Sequence, residues 1–121
     1  MSKQDLEKYR FNFHWDAEDI WKLDYPTEDM NIRLLQWHID CPFWNNYTLR
    51  PLDVILNPEL YPEEYKAIMN TDLSYPIDIM KNLDRWVILD GLHRLTKSWI
   101  ICQHKVKVRK IPRSEISNIQ K

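Results

Sequence analysis

Glycine is almost missing from this sequence, and cysteine and long hydrophobic runs are scarce. Gly91 is the only glycine among 121 residues, where an average usage of about 7% would give roughly eight. The two cysteines, Cys41 and Cys102, are too few for a disulfide framework. No apolar run approaches the roughly 20 residues of a membrane-spanning helix, and no targeting segment is visible at the N-terminus. We therefore expect a soluble cytoplasmic protein with no membrane partner.

Aromatic and charged residues are plentiful by comparison. The 44% hydrophobic content, with six Trp and six Tyr, is typical of a single folded domain and excludes a disordered chain. The net charge of −1 hides an asymmetry, because residues 1–90 carry a net charge of −8 and residues 91–121 one of +7. Either the two regions pair within the fold, or the basic region binds an anion such as a nucleotide phosphate or nucleic acid.

The first half of the chain predicts short elements separated by proline. Alternation over residues 9–15 predicts a strand whose aromatic face covers the core or recruits another protein. Residues 16–23 are typical of a short capped helix, and residues 31–39 are apolar enough for a strand. Pro51 and Pro62 stand where helices commonly begin, which predicts helices over residues 52–56 and 63–70.

The second half predicts a hairpin, a helix and a strand. Residues 75–80 and 85–89 are typical of two antiparallel strands joined by a turn. Apolar residues then recur at helical spacing over residues 92–103, and residues 105–111 alternate as a strand with Val106 and Val108 facing inward. Strands and helices in this order favour an α+β domain with a mixed sheet.

The stretch VILDGLHRL, residues 87–95, predicts an anion site. A buried strand that ends at Asp90, followed by Gly91 and at once by a helix, leaves unpaired helix N–H groups at the sheet edge. Glycine permits a backbone angle or a close ligand approach that other residues do not. His93, Arg94 and then Lys97 follow, although the helix dipole disfavours cations at this end unless an anion is bound. The structural alternative is that Asp90 caps the helix and Arg94 pairs with an upstream carboxylate.

Residues 75–112, YPIDIMKNLDRWVILDGLHRLTKSWIICQHKVKVRKIP, resemble the ParB/sulfiredoxin-like superfamily. The proline-marked strand, the turn, the second strand, the G-x-[HR]-R helix start and the last strand share its order. The DGxHR variant at residues 90–94 is similar to small ParB-like proteins and free serine kinases. The resemblance implies a single domain, residues 1–121, with a small mixed sheet and flanking helices, a core over residues 31–112 and an N-terminal extension over residues 1–30. It also implies that Gly91, Leu92, His93 and Arg94 hold nucleotide phosphates.

Two departures from that superfamily narrow the expected chemistry. Leu92 stands where sulfiredoxins have the cysteine of their Gly-Cys-His-Arg core, so we expect no sulfinic acid reduction. The chain ends at Lys121, without the helix-turn-helix region that follows this domain in ParB proteins, so we expect no centromere binding. The carboxylate that a serine kinase uses has no counterpart that can be aligned.

Two upstream segments, residues 37–40 and residues 72–76, are candidates to complete the site. Asp90 with Asp40 or Asp72 would suit Mg²⁺ together with nucleotide phosphates. His93 and His38 are candidate acid–base groups, although His38 is alternatively a structural, hydrogen-bonded histidine. The candidate nucleotide-binding residues outside the glycine turn are Lys97, Asp72 and Tyr75.

The sequence therefore favours a domain that binds a nucleotide of the ATP or CTP class with Mg²⁺, with phosphoryl transfer or hydrolysis as the candidate activity. One alternative is a noncatalytic nucleic-acid module that uses the basic residues Lys97, Lys105, Lys107, Arg109, Lys110 and Arg113. Another is a protein-interaction module, as a homodimer or with a partner that binds the aromatic segment 9–15.

Overall fold

The computed structural model describes residues 3–121, and side chains from Leu6 onward. Ten helices and strands follow in chain order within these residues: α1 Lys3–Tyr9, α2 Ala17–Trp21, β1 Thr27–Asn31, α3 Pro51–Leu56, α4 Pro62–Met69, β2 Ile77–Asn82, β3 Arg85–Asp90, α5 Leu92–Ile100, β4 Lys105–Lys110 and α6 Ile116–Ile119. Short 3₁₀ turns occupy Ile32–Leu34, Gln36–Asp40 and Arg113–Glu115.

The four strands of the described residues form one mixed sheet in the order β1-β4-β2-β3. The β2–β3 hairpin is antiparallel, β4 runs parallel to β2, and β1 pairs antiparallel with β4. The connection from β3 to β4 passes through α5 and carries the chain past β2, so that β4 pairs with β2 on the side away from β3. The prediction of a small α+β domain with a mixed sheet and flanking helices is confirmed.

Both faces of the sheet are covered by other elements. Neighbouring residues of a strand point to opposite faces, so the sheet contributes to two buried clusters. Ile79, Val106 and Val108 face one side and pack with Leu95 of α5 in a buried cluster. Met80 and Leu89 face the other side and pack with buried residues from α2 and α6. The inward orientation predicted for Val106 and Val108 is therefore confirmed.

The predicted strand over residues 9–15 is wrong. The helix α1 ends at Tyr9, and from this segment Trp15 alone forms an isolated bridge, with Gln120. Phe11, Phe13 and Trp15 lie against one another with ring centroids 5.2–5.8 Å apart and pack on the cluster between α2 and α6. The aromatic residues of this segment alternate with polar ones because the rings cover a core. The backbone that carries them does not form a strand of the sheet.

The predicted strand over residues 31–39 is also wrong. β1 ends at Asn31, whose side chain accepts a hydrogen bond from the Arg33 N–H and begins a 3₁₀ turn. An asparagine that caps the next turn in this way competes with strand pairing. The strand lies earlier, over Thr27–Asn31, and pairs along its length with β4. Residues 27–30, which the sequence assigned to an extension, thus belong to the sheet.

Elements in the second half of the chain lie close to their predicted positions. Pro51 and Pro62 begin α3 and α4, and the strands β2 and β3 pair as a hairpin. The helix α5 begins at Leu92 as predicted but ends at Ile100. Cys102 adopts a positive φ of 62° just beyond that end, which stops the helix short of residue 103.

Candidate functional site

A cavity of about 1150 Å³ lies at the edge of the sheet where β3 ends and α5 begins. Eight of the residues predicted for the site line it, namely His38, Asp72, Tyr75, Asp90, Gly91, Leu92, His93 and Arg94. Its remaining walls are mostly apolar or aromatic, with Trp21, Phe43, Pro76, Ile88 and Leu89 among them. A few polar groups in a largely apolar hollow are the usual composition of a small-molecule site.

Gly91 forms the turn at which the strand passes into the helix. Its φ of 115° and ψ of 21° lie in the left-handed region, which side chains with a Cβ rarely adopt. A Cβ at this position would lie 3.2 Å from the Ile77 Cα and 3.1 Å from the Arg94 Nη2. The glycine is therefore required both by the backbone angle and by the closeness of its neighbours.

The N-terminus of α5 opens toward the cavity without a capping side chain. Gly91 occupies the cap position and has no side chain to offer, and the first turn contains no acidic residue. Leu92, His93 and Arg94, whose backbone N–H groups have no partner inside the helix, all line the cavity. This arrangement offers unpaired donors and the positive end of a helix dipole to an anion.

Asp90 does not cap the helix but binds two neighbours. Its Oδ2 accepts hydrogen bonds from the Trp21 Nε1 at 2.8 Å and from the Arg94 Nη2 at 2.9 Å. The pairing of Arg94 with a carboxylate, expected in the structural alternative, is thus observed. Arg94 keeps four further N–H donors, since a guanidinium carries five, and it lines the cavity.

Asp78 and Arg109 are site residues that the sequence did not indicate. Asp78 is 2% exposed, and its Oδ1 accepts from the Arg109 Nε at 2.6 Å. It lies opposite Asp90 across the hairpin, at a shift of register that inserts an extra residue in β3. Such bulges commonly redirect side chains beside functional sites. Burial raises the pKa of Asp78 despite the Arg109 guanidinium, and the nearby Asp90 charge acts in the same direction.

Arg109 connects the cavity floor to α2. Besides binding Asp78, its guanidinium donates to the Leu23 and Ile20 carbonyl oxygens, at 2.6 and 3.0 Å. These carbonyls lie near the C-terminus of α2, where a cation is favourable. Arg109 thereby holds in place the helix that carries Trp21, one of the cavity's aromatic walls.

His93 is held against an aromatic ring beside the helix start. Its imidazole stacks on Trp44 with ring centroids 5.0 Å apart. Burial lowers the pKa of His93, and the Asp90 carboxylate opposes that shift without cancelling it. The imidazole is therefore mainly neutral at pH 7 and can accept a proton or a hydrogen bond in the cavity.

His38 favours the structural interpretation over the catalytic one. The side chain is 1% exposed, with its Nδ1 2.7 Å from the Leu35 carbonyl oxygen. Its Nε2 accepts the Ile88 N–H at 3.1 Å, so both ring nitrogens are bound by the backbone. Burial lowers the pKa of His38 to about 3. The neutral ring ties the 3₁₀ turn to β3 and has no nitrogen left for a ligand.

Asp40 does not belong with the other candidates. Its carboxylate binds the Arg50 guanidinium at 2.6 Å, and it is not among the residues that line the cavity. Arg50 precedes α3 and also binds Asp53 at the start of that helix. Of the two carboxylates considered beside Asp90, the structure therefore brings only Asp72 to the cavity, because Asp40 is bound to Arg50 instead.

Asp72 lines the cavity and Lys97 lies next to it, and both have partners in the same turn. The Lys97 Nζ donates to the Thr71 carbonyl oxygen at 2.8 Å, and Lys97 itself does not line the cavity. Asp72 accepts from the Ser74 N–H and hydroxyl, and the hydroxyl bond chiefly lowers its pKa. Together these contacts fix the turn that carries Tyr75, whose ring is 63% exposed at the cavity mouth.

Most cations of the basic C-terminal region are bound within the fold, and four of the eight, Arg94, Arg109, Lys110 and Lys121, pair with carboxylates. Six of the eight Lys and Arg residues of the region from Gly91 onward have a hydrogen bond or ion pair in the described structure: Arg94, Lys97, Arg109, Lys110, Arg113 and Lys121. Of the two interpretations of the charge asymmetry, internal pairing is thus the better supported.

The described side chains form no metal site of their own. Among residues 3–121, no three His, Cys, Asp or Glu side chains are grouped so as to hold a metal. Three carboxylates line the cavity, Asp72, Asp78 and Asp90, and the last two are already bound to an arginine each. Mg²⁺ is commonly held by one or two carboxylates plus substrate phosphates, and the described side chains do not form a site that would hold a metal through protein ligands alone.

Neither the lengths of the helices nor comparisons with known proteins add a further assignment. In the part of the chain that the structure describes, no helix is both long and apolar enough to cross a membrane. No family model matches the sequence, and no curated protein or solved structure shows significant similarity to it. The resemblance of residues 75–112 to the ParB/sulfiredoxin-like superfamily therefore stays a prediction from those residues.

Proposed function

We propose that this protein binds a nucleoside phosphate in the cavity, with a phosphate group at the N-terminus of α5. The observation that carries the proposal is the opening of an uncapped helix start, beginning at Gly91, into a cavity with aromatic walls. The N–H groups of Leu92, His93 and Arg94 supply donors for phosphate oxygens, and the Arg94 guanidinium adds charge.

The walls of the cavity favour a planar, aromatic ligand over a bare phosphate or a phosphosugar. Trp21 and Phe43 line it, and Tyr75 stands at its mouth. The Trp21 indole is fixed by its hydrogen bond to Asp90, although the ring is 60% exposed. An exposed but anchored indole offers a prepared stacking surface, and stacking on aromatic side chains is the common way to hold a base without sequence-specific contacts.

Phosphoryl transfer or hydrolysis is the activity that these groups would support. Mg²⁺, held by the nucleotide phosphates with Asp78 and Asp90, would neutralise phosphate charge. The neutral His93 imidazole is the group in the cavity that we assign as proton acceptor. His93→Gln should abolish most Mg²⁺-dependent phosphate release while leaving nucleotide binding largely intact. A variant that releases phosphate at the wild-type rate would remove His93 from this role.

A thermal-shift series with ATP, CTP, GTP and UTP, with and without Mg²⁺, tests the binding itself. A ligand at a hundred times its Kd stabilises the folded state by about 2.7 kcal/mol, which for a chain of this size raises Tm by about 10 °C. Arg94→Ala should lose most of that shift. Arg113→Ala is the matched control, because Arg113 binds the Lys81 carbonyl and Asn82, away from the cavity. No shift of the wild type with any nucleotide, or an equal shift for Arg94→Ala, would count against the proposal.

A further inference from the structure

A second, smaller cavity adjoins the first. It has a volume of about 170 Å³, and Tyr75 and Arg94 line both cavities. Its other polar lining residues include Lys105, Lys107 and one carboxylate, Asp29. Because Arg94 is common to both, a ligand held at the start of α5 lies beside this second cavity.

The two lysines of the small cavity differ from the other cations of the C-terminal region. Lys105 and Lys107 have no hydrogen bond or ion pair with residues 3–121, whereas each of the other six has one. Both side chains are exposed, while Val106 between them is buried. Asp29 lies opposite Lys107 in the register of β1 and β4, and the Lys107 charge also reaches Asp72. Because Arg94 is already bound to Asp90, two lysines remain opposite one carboxylate, Asp29, which leaves the small cavity an excess of one positive charge.

The sheet register places these lysines at the same end as the glycine turn. Ile77, the first residue of β2, pairs with Val108 of β4, so Lys105 and Lys107 lie beyond the start of β2. Asp78 pairs with Asp90, so Gly91 follows β3 at that same end. Two strand spacings separate β3 from β4, a distance of about 10 Å.

We propose that Lys105 and Lys107 form a second anion subsite for the distal phosphates of the nucleotide. The proximal phosphate lies at the start of α5, and Arg94 stands between the two groups. This inference rests on the proposed function and narrows it, because it assigns the distal phosphates of a nucleoside di- or triphosphate to two residues of this chain.

Calorimetric titration of the full chain with the mono- and triphosphate of one nucleoside tests the subsite. The wild type should bind the triphosphate more tightly than the monophosphate. Lys105→Ala/Lys107→Ala should lose about tenfold in triphosphate affinity and keep its monophosphate affinity. The control, Lys8→Ala/Lys81→Ala, removes two lysine charges that face the Tyr9 and Trp86 rings instead of a cavity, and should bind both ligands like the wild type.

The outcomes separate the subsite from the site on which it depends. Wild-type binding of both nucleotides with equal affinity, or a double variant that binds the triphosphate normally, would overturn the subsite and leave the proposed function standing. Equal losses for both ligands would also overturn it, since the lysines would then not act on distal phosphates. Failure of the wild type to bind either nucleotide would overturn both proposals.

Discussion

Replacing Gly91 by alanine tests whether the turn at the start of α5 is as constrained as the geometry indicates. The φ of 115° lies well outside the region that an alanine adopts without strain, and a non-glycine residue in left-handed backbone costs about 1–2 kcal/mol. The new Cβ would also lie 3.2 Å from the Ile77 Cα, a backbone atom that cannot move away alone. Overpacking of this kind costs about 1–3 kcal/mol.

Together these terms predict that Gly91→Ala lowers the free energy of unfolding by about 2–4 kcal/mol, after the loss of about 0.5 kcal/mol of unfolded-state entropy is allowed for. Urea denaturation followed by tryptophan fluorescence measures the change. Asn70→Ala is the control, because Asn70 is exposed, has an ordinary φ of −87° and should change stability by less than about 0.5 kcal/mol. A loss below about 1 kcal/mol for Gly91→Ala would refute the argument that only glycine fits this turn.

Three further predictions concern other buried groups. Burial lowers the pKa of His38 to about 3, so below pH 6.5 the unfolded chain binds a proton there that the folded chain does not. The free energy of unfolding should therefore fall by about 1.4 kcal/mol per pH unit as the pH drops from about 6 toward 3. Urea melts of His38→Gln should show a weaker dependence of stability on pH than the wild type. Equal pH dependence in the two proteins would contradict the assignment of this effect to His38. Arg109→Met should cost about 3 kcal/mol by leaving Asp78 unpaired, and Asp78→Leu/Arg109→Met should recover part of that loss; a double variant no more stable than the single one would contradict it. Burial raises the pKa of the Cys41 thiol to about 11, whereas Cys102 is exposed, so mass spectrometry should find iodoacetamide on Cys102 alone in the native protein, and rapid labelling of Cys41 would be the contrary result.

Features set by neighbouring residues were predictable from the sequence. The positions of Pro51 and Pro62 indicated where two helices begin, and the alternation around Val106 and Val108 indicated a strand and its buried side. The glycine turn at residue 91 was predictable for the same reason, since glycine between a strand and a helix has a local conformational cause. Because of such local signals, the hairpin, α5 and the centre of the candidate site lie close to their predicted positions.

Features that depend on residues far apart in the chain were not predictable. Trp21 reaches Asp90 across 69 positions, and Arg109 reaches Asp78 across 31. In the sequence Asp78 alternates with apolar residues, as a solvent-facing strand residue would, and a basic residue such as Arg109 is usually exposed. One signal was available, since a carboxylate two residues into an otherwise buried strand needs a partner. It does not indicate which cation supplies that partner.

Two expectations failed because local patterns do not show which distant residues a segment meets in the fold. Alternating aromatic residues around Phe11 and Phe13 are typical of a strand, but an extended strand also needs a neighbouring strand for its hydrogen bonds. None of the four described strands pairs with this segment. Asp40 was considered, with Asp72 as the alternative, as a second carboxylate beside Asp90. The 3₁₀ turn instead directs His38 inward to the Ile88 N–H and leaves Asp40 with Arg50.

The claim that an anionic nucleotide group lies at the start of α5 is tested most directly by the backbone amides themselves. ¹H–¹⁵N NMR spectra of the wild type, recorded during titration with a Mg²⁺–nucleoside triphosphate, report on each N–H group of the helix start. The account predicts that the largest downfield amide shifts fall on Leu92, His93 and Arg94, with saturation at a common Kd. Binding that leaves these three amides unchanged while shifting others would contradict it.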